Sequence, residues 1–286
     1  MTDEKGYTPI EMGDAQMTEE EFNTLDYDKP HVYVATPAYD GKVDSGYAQC
    51  LGNTGWNMGL FGIRMTASTM GNSAFIEMGR NLFVKFMLED EELKSCTHLF
   101  FIDSDLEWDS ASVIGLITSC NEDRPVVAGV YPRRQAEPWD FPAVWTPHPE
   151  IKGPNGEDCV WVDDDGWLKC DRVPTGFLCI RRNILEEMSE DVMQARTYDY
   201  GNIPWLFHTK FDEDNRFVGE DYGFCDLYRE KYGKPIDVWM GFEFTHGGFK
   251  GCYEEFLASK SSDFKRKEEY KKSKGGNRLG GKKRAG

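Results

Sequence analysis

Two aspartates, Asp103 and Asp105, stand one residue apart directly after the apolar run Leu99-Phe100-Phe101-Ile102. If that run is a buried strand, the chain emerges where open α/β sheets bind ligands, and both carboxylates can enter one crevice. There they offer hard oxygen ligands to Mg2+ or Mn2+, an ion that in turn neutralises a diphosphate. The plainer alternative is a solvated turn that ends the strand, with Asp109 capping the helix that follows. Glu220 and Asp221 open an amphipathic segment, where the positive end of a helix favours carboxylates, although ordinary capping explains them as well. His246 closes a strand-like run ahead of Gly247 and Gly248, glycines that let backbone turn close to a ligand; a structural histidine is the competing reading. Arg80 and Asn81 fall inside a helical period, where a surface ion pair would also account for Arg80.

These groups must be positioned by the segments around them. Strand-like stretches rich in β-branched and aromatic residues begin at His31, Gly62, Thr97, Pro125, Gly176 and Asp237. Between them Phe75, Met78, Leu82 and Phe86 recur at spacings of three and four, the period of a helix with one buried face. A second helix is predicted after Asp109, and a third across "DYGFCDLYREKYGKP", stopping at Gly233 with Pro235 beyond it. Alternating strands and helices imply one α/β domain with a mostly parallel central sheet flanked by helices. "CVWVDDDGWLKC" reads as a hairpin turning at Asp165-Gly166. Residues 40–60 read as a long polar section without an assigned element.

Charge divides the chain into three parts. Residues 1–30 carry −7, residues 259–286 carry +8, and the body between them carries −18. An acidic body repels backbone phosphates and argues against a nucleic-acid binder. The basic tail reads as disordered and offers a contact for an anionic partner. Eight cysteines without a C-x-x-C pair, several inside apolar runs, read as reduced core thiols. With no signal-peptide pattern and no apolar run of about 20 residues, no transmembrane segment is expected and the reading is a cytoplasmic protein.

The succession "VYVATPAYDGKV", "GRNLFVKFML", "HLFFIDSDLEW", "PVVAGVYPRR", "VPTGFLCIRRNIL", "GEDYGFCDLYREKYG" and "DVWMGFEFTHGG" resembles the GT-A fold nucleotide-diphospho-sugar glycosyltransferases of the short phage and bacterial type. The resemblance covers residues 31 to about 250. It implies a single Rossmann-like catalytic domain over 31–258, between an acidic extension (1–30) and the basic tail (259–286). It also implies Mn2+ or Mg2+ as cofactor and a nucleotide-diphosphate sugar as donor. The acceptor would be a hydroxyl on a glycan, a lipid-linked sugar or a protein. On this resemblance Thr36, Pro37 and Tyr39 face the donor's nucleoside, and Arg80 and Asn81 lie near its base or phosphates. Asp103, Asp105 and His246 would hold the metal, with Asp105 the direct ligand. Tyr131 and Arg133, with the neighbouring Arg134, would approach the sugar or phosphates, and Thr175 and Gly176 would line the pocket floor. Asp221, paired with Glu220, would take the proton from the acceptor hydroxyl in an inverting transfer.

Two other classes compete. A sugar-phosphate nucleotidyltransferase also uses an α/β sheet with acidic metal ligands, but its N-terminal Gly-rich phosphate loop has no counterpart in "VATPAYDGKV". A structural or virion protein would use Asp103 and Asp105 to hold Ca2+, or nothing.

Overall fold

The computed structural model describes residues 29–71, 75–135 and 140–260. The acidic extension and the basic tail, apart from residues 29–30 and 259–260, lie outside the described residues.

Strand β1 (His31–Ala38) leads through α1 (Ser45–Leu60) to β2 (Arg64–Gly71), then through α2 (Ile76–Glu89) to β3 (His98–Ile102). After the two-residue β4 (Leu106–Glu107) come α3 (Ser110–Ser119) and β5 (Val126–Gly129). The next strands are β6 (Val144–Trp145), β7 (Pro147–Lys152), β8 (Asp158–Val160), β9 (Leu168–Arg172) and β10 (Phe177–Arg181), which runs into α4 (Arg182–Asp191). Short pairs β11 (Gln194–Thr197) with β12 (Gly201–Pro204), and β13 (Lys210–Phe211) with β14 (Phe217–Val218), precede α5 (Glu220–Tyr232). The last strands are β15 (Ile236–Trp239), β16 (Glu243–His246) and β17 (Phe249–Cys252), and residues 253–260 after them are helical.

Eight strands form one sheet in the order β2-β1-β3-β10-β5-β15-β9-β6. It is mixed. β1 pairs in parallel with β2 and β3, and β5 with β15, whereas β10 runs antiparallel to both β3 and β5, and β9 antiparallel to β15 and β6. The sequence does not reveal the reversal at β10, because a strand buried on both faces has the same continuous apolar pattern in either direction. Successive residues serve opposite faces. Tyr33 and Ala35 pack toward α2, α4 and α5, while Val32 and Val34 pack toward α1 and α3.

Residues 45–60, unassigned from sequence, form a 16-residue helix that contains no charged side chain. Tyr47, Thr54 and Met58 are buried along it, with Leu51 partly buried on the same side. Gly46, Gly52, Gly55 and Gly59 hide this period, since each lowers helix propensity by about 1 kcal/mol against alanine. Gly55 has a packing reason, as a Cβ there would come within 2.8 Å of the Met65 Cε on β2. The run from Asp237, expected as one strand, breaks at Met240–Phe242 into β15 and β16, which belong to different sheets.

Other expectations hold in detail. Asp109 caps α3 by accepting from the Ala111 N–H at 2.8 Å, and α5 ends at Gly233 in the left-handed region, φ 64°. The hairpin at Asp165-Gly166 turns with Gly166 at φ 89°, bridging Val162 to Leu168. All eight cysteines are free, with only Cys50 and Cys159 not buried. Among the described residues no helix is long and apolar enough to cross a membrane.

Candidate active site

β1, β3 and β5 run the same way, so Pro37, Asp103 and Tyr131 emerge at one edge of the sheet. A cleft of about 350 Å³ opens there, lined by Pro37, Ala38, Tyr39, Met70, Ile76, Gly79, Asp103, Ser104, Asp105, Arg134 and His246.

Arg80 is the buried hub. Its Nη2 donates to Asp103 Oδ1 at 3.1 Å and its Nε to Glu220 Oε1 at 3.3 Å, while the guanidinium carbon lies 5.3 Å from the centre of the Phe101 ring. Burial opposes its charge, but Asp103 and Glu220 outweigh that and hold Arg80 more firmly protonated than usual. The other oxygen of Asp103 accepts from the Tyr131 hydroxyl at 3.1 Å, and that hydroxyl accepts from Gly176 N–H at 3.2 Å. Burial and the neighbouring Asp103 push the Tyr131 phenol well above its ordinary pKa, so it stays a donor. Gly176 must be glycine for space: a Cβ there would run into the Asp103 carboxylate and the Tyr131 hydroxyl.

Asp105 points the other way. Its Oδ2 lies 3.3 Å from His246 Nε2. β4 pairs with β16 so that His246 faces Leu106, and Gly247 N–H donates to Asp105 O at 3.2 Å. Gly247 and Gly248, at φ 55° and 87°, make the two-residue turn into β17 that this register requires. His246 Nδ1 lies 2.7 Å from Pro132 O, which can only accept, so Nδ1 carries the proton. Burial lowers the His246 pKa, and its Nε2 accepts from the Arg134 Nε–H at 3.1 Å.

Asp221 begins α5 beside Glu220. Its Oδ1 accepts from the Tyr222 N–H at 2.8 Å, yet burial, followed by the charge of Glu220, raises its pKa from 3.8 to about 6. Such a carboxyl exchanges protons near neutral pH.

The remaining sequence candidates divide. Tyr39 stands 76 % exposed at the rim, whereas Thr36 is wholly buried and bonded to Tyr47. Asn81 is also wholly buried, and its amide makes a reciprocal pair with Phe207: Nδ2 to the carbonyl at 2.7 Å and Oδ1 from the N–H at 2.9 Å. It anchors the 205–208 segment to α2 and is absent from the cleft lining. Arg133 turns away to pair with Asp140 at 2.7 Å, and Arg134 enters the cleft instead. Ile76 and Gly79 line the cleft without having been singled out from sequence; a glycine inside the strongly periodic α2 was the available signal.

Arg80 Nη1 and Thr175 Oγ1 are buried without a hydrogen-bond partner among the described residues, whereas Asp105 Oδ2 faces the Arg134 guanidinium. The two orphaned atoms belong to this edge, as expected for a site completed by a polar ligand. Asp105 Oδ2 and His246 Nε2 are a chemically suitable pair for a divalent cation, and the His246–Pro132 bond is the outer contact that commonly orients a ligating histidine. Asp103 is turned to Arg80 and Tyr131. Among the described residues no cluster of three or more His, Cys, Asp or Glu stands ready for a metal. A cation bound by the pair would therefore complete its shell from ligand phosphate oxygens and water, the habit of Mg2+.

No protein-family model and no curated protein matches this chain. Among solved structures it is similar to the A197 protein from STIV, at 15% identity and TM-score 0.45, covering 76% of this chain and 85% of that one. It is similar to a glycosyltransferase involved in glycosylation of the major capsid of PBCV-1, at 9% identity and TM-score 0.29, covering 55% and 63%. A 4-diphosphocytidyl-2C-methyl-D-erythritol synthase from Anaerococcus prevotii is similar at 9% identity and TM-score 0.30, covering 72% and 98%. Each is a partial likeness at low identity, and the chemistry of the cleft rests on its own geometry.

Proposed function

We propose that this protein is a metal-dependent glycosyltransferase of the GT-A type, moving a sugar from a UDP- or GDP-sugar to a hydroxyl acceptor with inversion. The observation that supports it most is a division of labour along one edge. The Asp105–His246 pair suits a divalent cation, while Asp221, with a pKa raised to about 6, is tied to the same edge through Glu220, Arg80 and Asp103.

A bound Mn2+ or Mg2+ would neutralise the departing diphosphate. Tyr39, exposed at the end of β1, offers an aromatic face to the donor's base beside Pro37. Asp103 is held on both oxygens by Arg80 and Tyr131, and Arg80 stabilises its charge at the cleft wall. Asp221 accepts the proton of the acceptor hydroxyl while that oxygen bonds to the anomeric carbon and the bond to the diphosphate breaks. The catalytic unit is residues 31–258, and the basic tail serves as the contact for an anionic partner.

Thermal denaturation with UDP or GDP, with and without Mn2+, tests the reading. A ligand at 100 times its dissociation constant adds about 2.7 kcal/mol. Stabilisation that needs both nucleotide and cation is expected, and no shift with any diphosphate and cation would overturn the proposal.

A further inference from the structure

Arg134 is a cation already seated between Asp105 and His246. Its guanidinium lies against Asp105 Oδ2, and its Nε–H donates to His246 Nε2 at 3.1 Å. The side chain lies over Gly247, where a Cβ would come within 3.1 Å of Arg134 Cδ. Asp105 and His246 are each 14% exposed at the side chain, whereas Arg134 is 60% exposed. The enclosed partners are thus the carboxylate and the imidazole, and the arginine reaches in from solvent.

The contact neutralises Asp105, whose buried Oδ2 faces the guanidinium. His246 Nε2 has its lone pair engaged by Arg134 Nε–H, so a divalent ion can reach it only after the arginine leaves. Two cations cannot share this position, because both would need the same oxygen and the same nitrogen lone pair.

We propose that Arg134 is a displaceable counter-cation: a divalent ion must expel it to bind Asp105 and His246, and the expelled guanidinium then contacts the anionic diphosphate of the incoming ligand. Pro132, which orients His246, lies two residues from Arg134 on the same segment, so the histidine can stay fixed while the arginine swings outward. A guanidinium suits the second task, since its planar fork matches phosphate oxygens. The consequence is ordered binding. In the absence of nucleotide, Arg134 competes with the metal; in its presence, the arginine has an alternative anion and the competition is relieved.

The inference rests on the metal-site reading above, and the following measurement separates the two. Free Mn2+ is quantified by electron paramagnetic resonance during titration of the full-length wild type, Arg134→Gln and Asp105→Asn, each with and without UDP. Without UDP, Arg134→Gln should bind Mn2+ about tenfold more tightly than wild type, within the usual range of site-to-site coupling. With UDP, wild type should gain Mn2+ affinity by a larger factor than Arg134→Gln. Equal Mn2+ affinities for wild type and Arg134→Gln, with binding lost in Asp105→Asn, would overturn the counter-cation role while leaving the metal site standing. Binding that is absent from both wild type and Arg134→Gln, or unchanged in Asp105→Asn, would overturn the metal site and the counter-cation with it. Circular dichroism of each variant confirms that a lost signal is not lost folding.

Discussion

His246 Nε2 lies 3.3 Å from Asp105 Oδ2, brought there by the pairing of the two-residue β4 with β16. Because the pair offers one carboxylate oxygen and one neutral nitrogen, each contributes a donor that the other cannot replace. Asp105→Asn and His246→Ala should each abolish or severely reduce the Mn2+-dependent stabilisation by UDP or GDP. Melting curves with nucleotide and Mn2+ check this, and an undiminished upshift in either variant removes that residue from the site.

Arg80 stands between two carboxylates in a buried position, so deleting it strands both. Breaking a buried ion pair from one side costs about 3–5 kcal/mol. Arg80→Met should lower the urea midpoint correspondingly, with an unchanged slope. Arg80→Lys should recover only part of the loss, since one ammonium cannot reproduce the two-pronged contact. A wild-type midpoint in Arg80→Met would show that the network contributes nothing to the fold.

Asp221 gives a pH signature with a defined sign. Its folded pKa, about 6, exceeds the ordinary 3.8, so the folded protein holds this proton more tightly than the unfolded chain. The resulting stability is fully present below about pH 3.8 and is lost as pH rises through 6. Asp221→Asn, which cannot ionise, should therefore be more stable than wild type at pH 7–8, by on the order of 2 kcal/mol, with the gain vanishing near pH 4. Denaturant melts at the two pH values measure it.

The same carboxyl should govern turnover. Transfer by the wild type should fall tenfold per pH unit below about 6, and Asp221→Asn should lose about 100-fold or more of the rate together with that limb of the profile. An unchanged acidic limb in Asp221→Asn would assign the proton transfer to another group.

Gly176 sets the floor beneath Asp103. Its carbonyl accepts from Asp103 N–H at 3.0 Å, so the segment cannot simply retreat from an added methyl. Gly176→Ala should cost about 1–3 kcal/mol, the usual range for overpacking, and should weaken nucleotide binding by displacing the Asp103 carboxylate. Calorimetric titration with UDP and Mn2+ reads the second effect, and wild-type affinity would show that Asp103 is not set by this contact.

The amino-acid sequence by itself determined the elements whose signals are local. Buried runs marked β1, β3 and β5, Asp109 and Gly233 marked helix ends, and the Asp103-x-Asp105 spacing marked the strand end that opens the cleft. Helix α1 escaped because its glycines depress propensity, and its justification, contact with β2, is tertiary. The antiparallel entry of β10 escaped because burial on both faces erases direction from the pattern. The site shows the same limit. Composition nominated Asp103, Asp105, Glu220, Asp221 and His246, but only the register of β4 on β16 decided that Asp105 meets His246. Only the fold placed the buried guanidinium of Arg80 between Asp103 and Glu220. Neighbouring Arg133 and Arg134 are chemically identical in sequence, and backbone direction after β5 sent one to Asp140 and the other into the cleft. Residue type sets what chemistry is available; which groups approach within a few ångströms depends on long-range pairing that a local pattern does not encode.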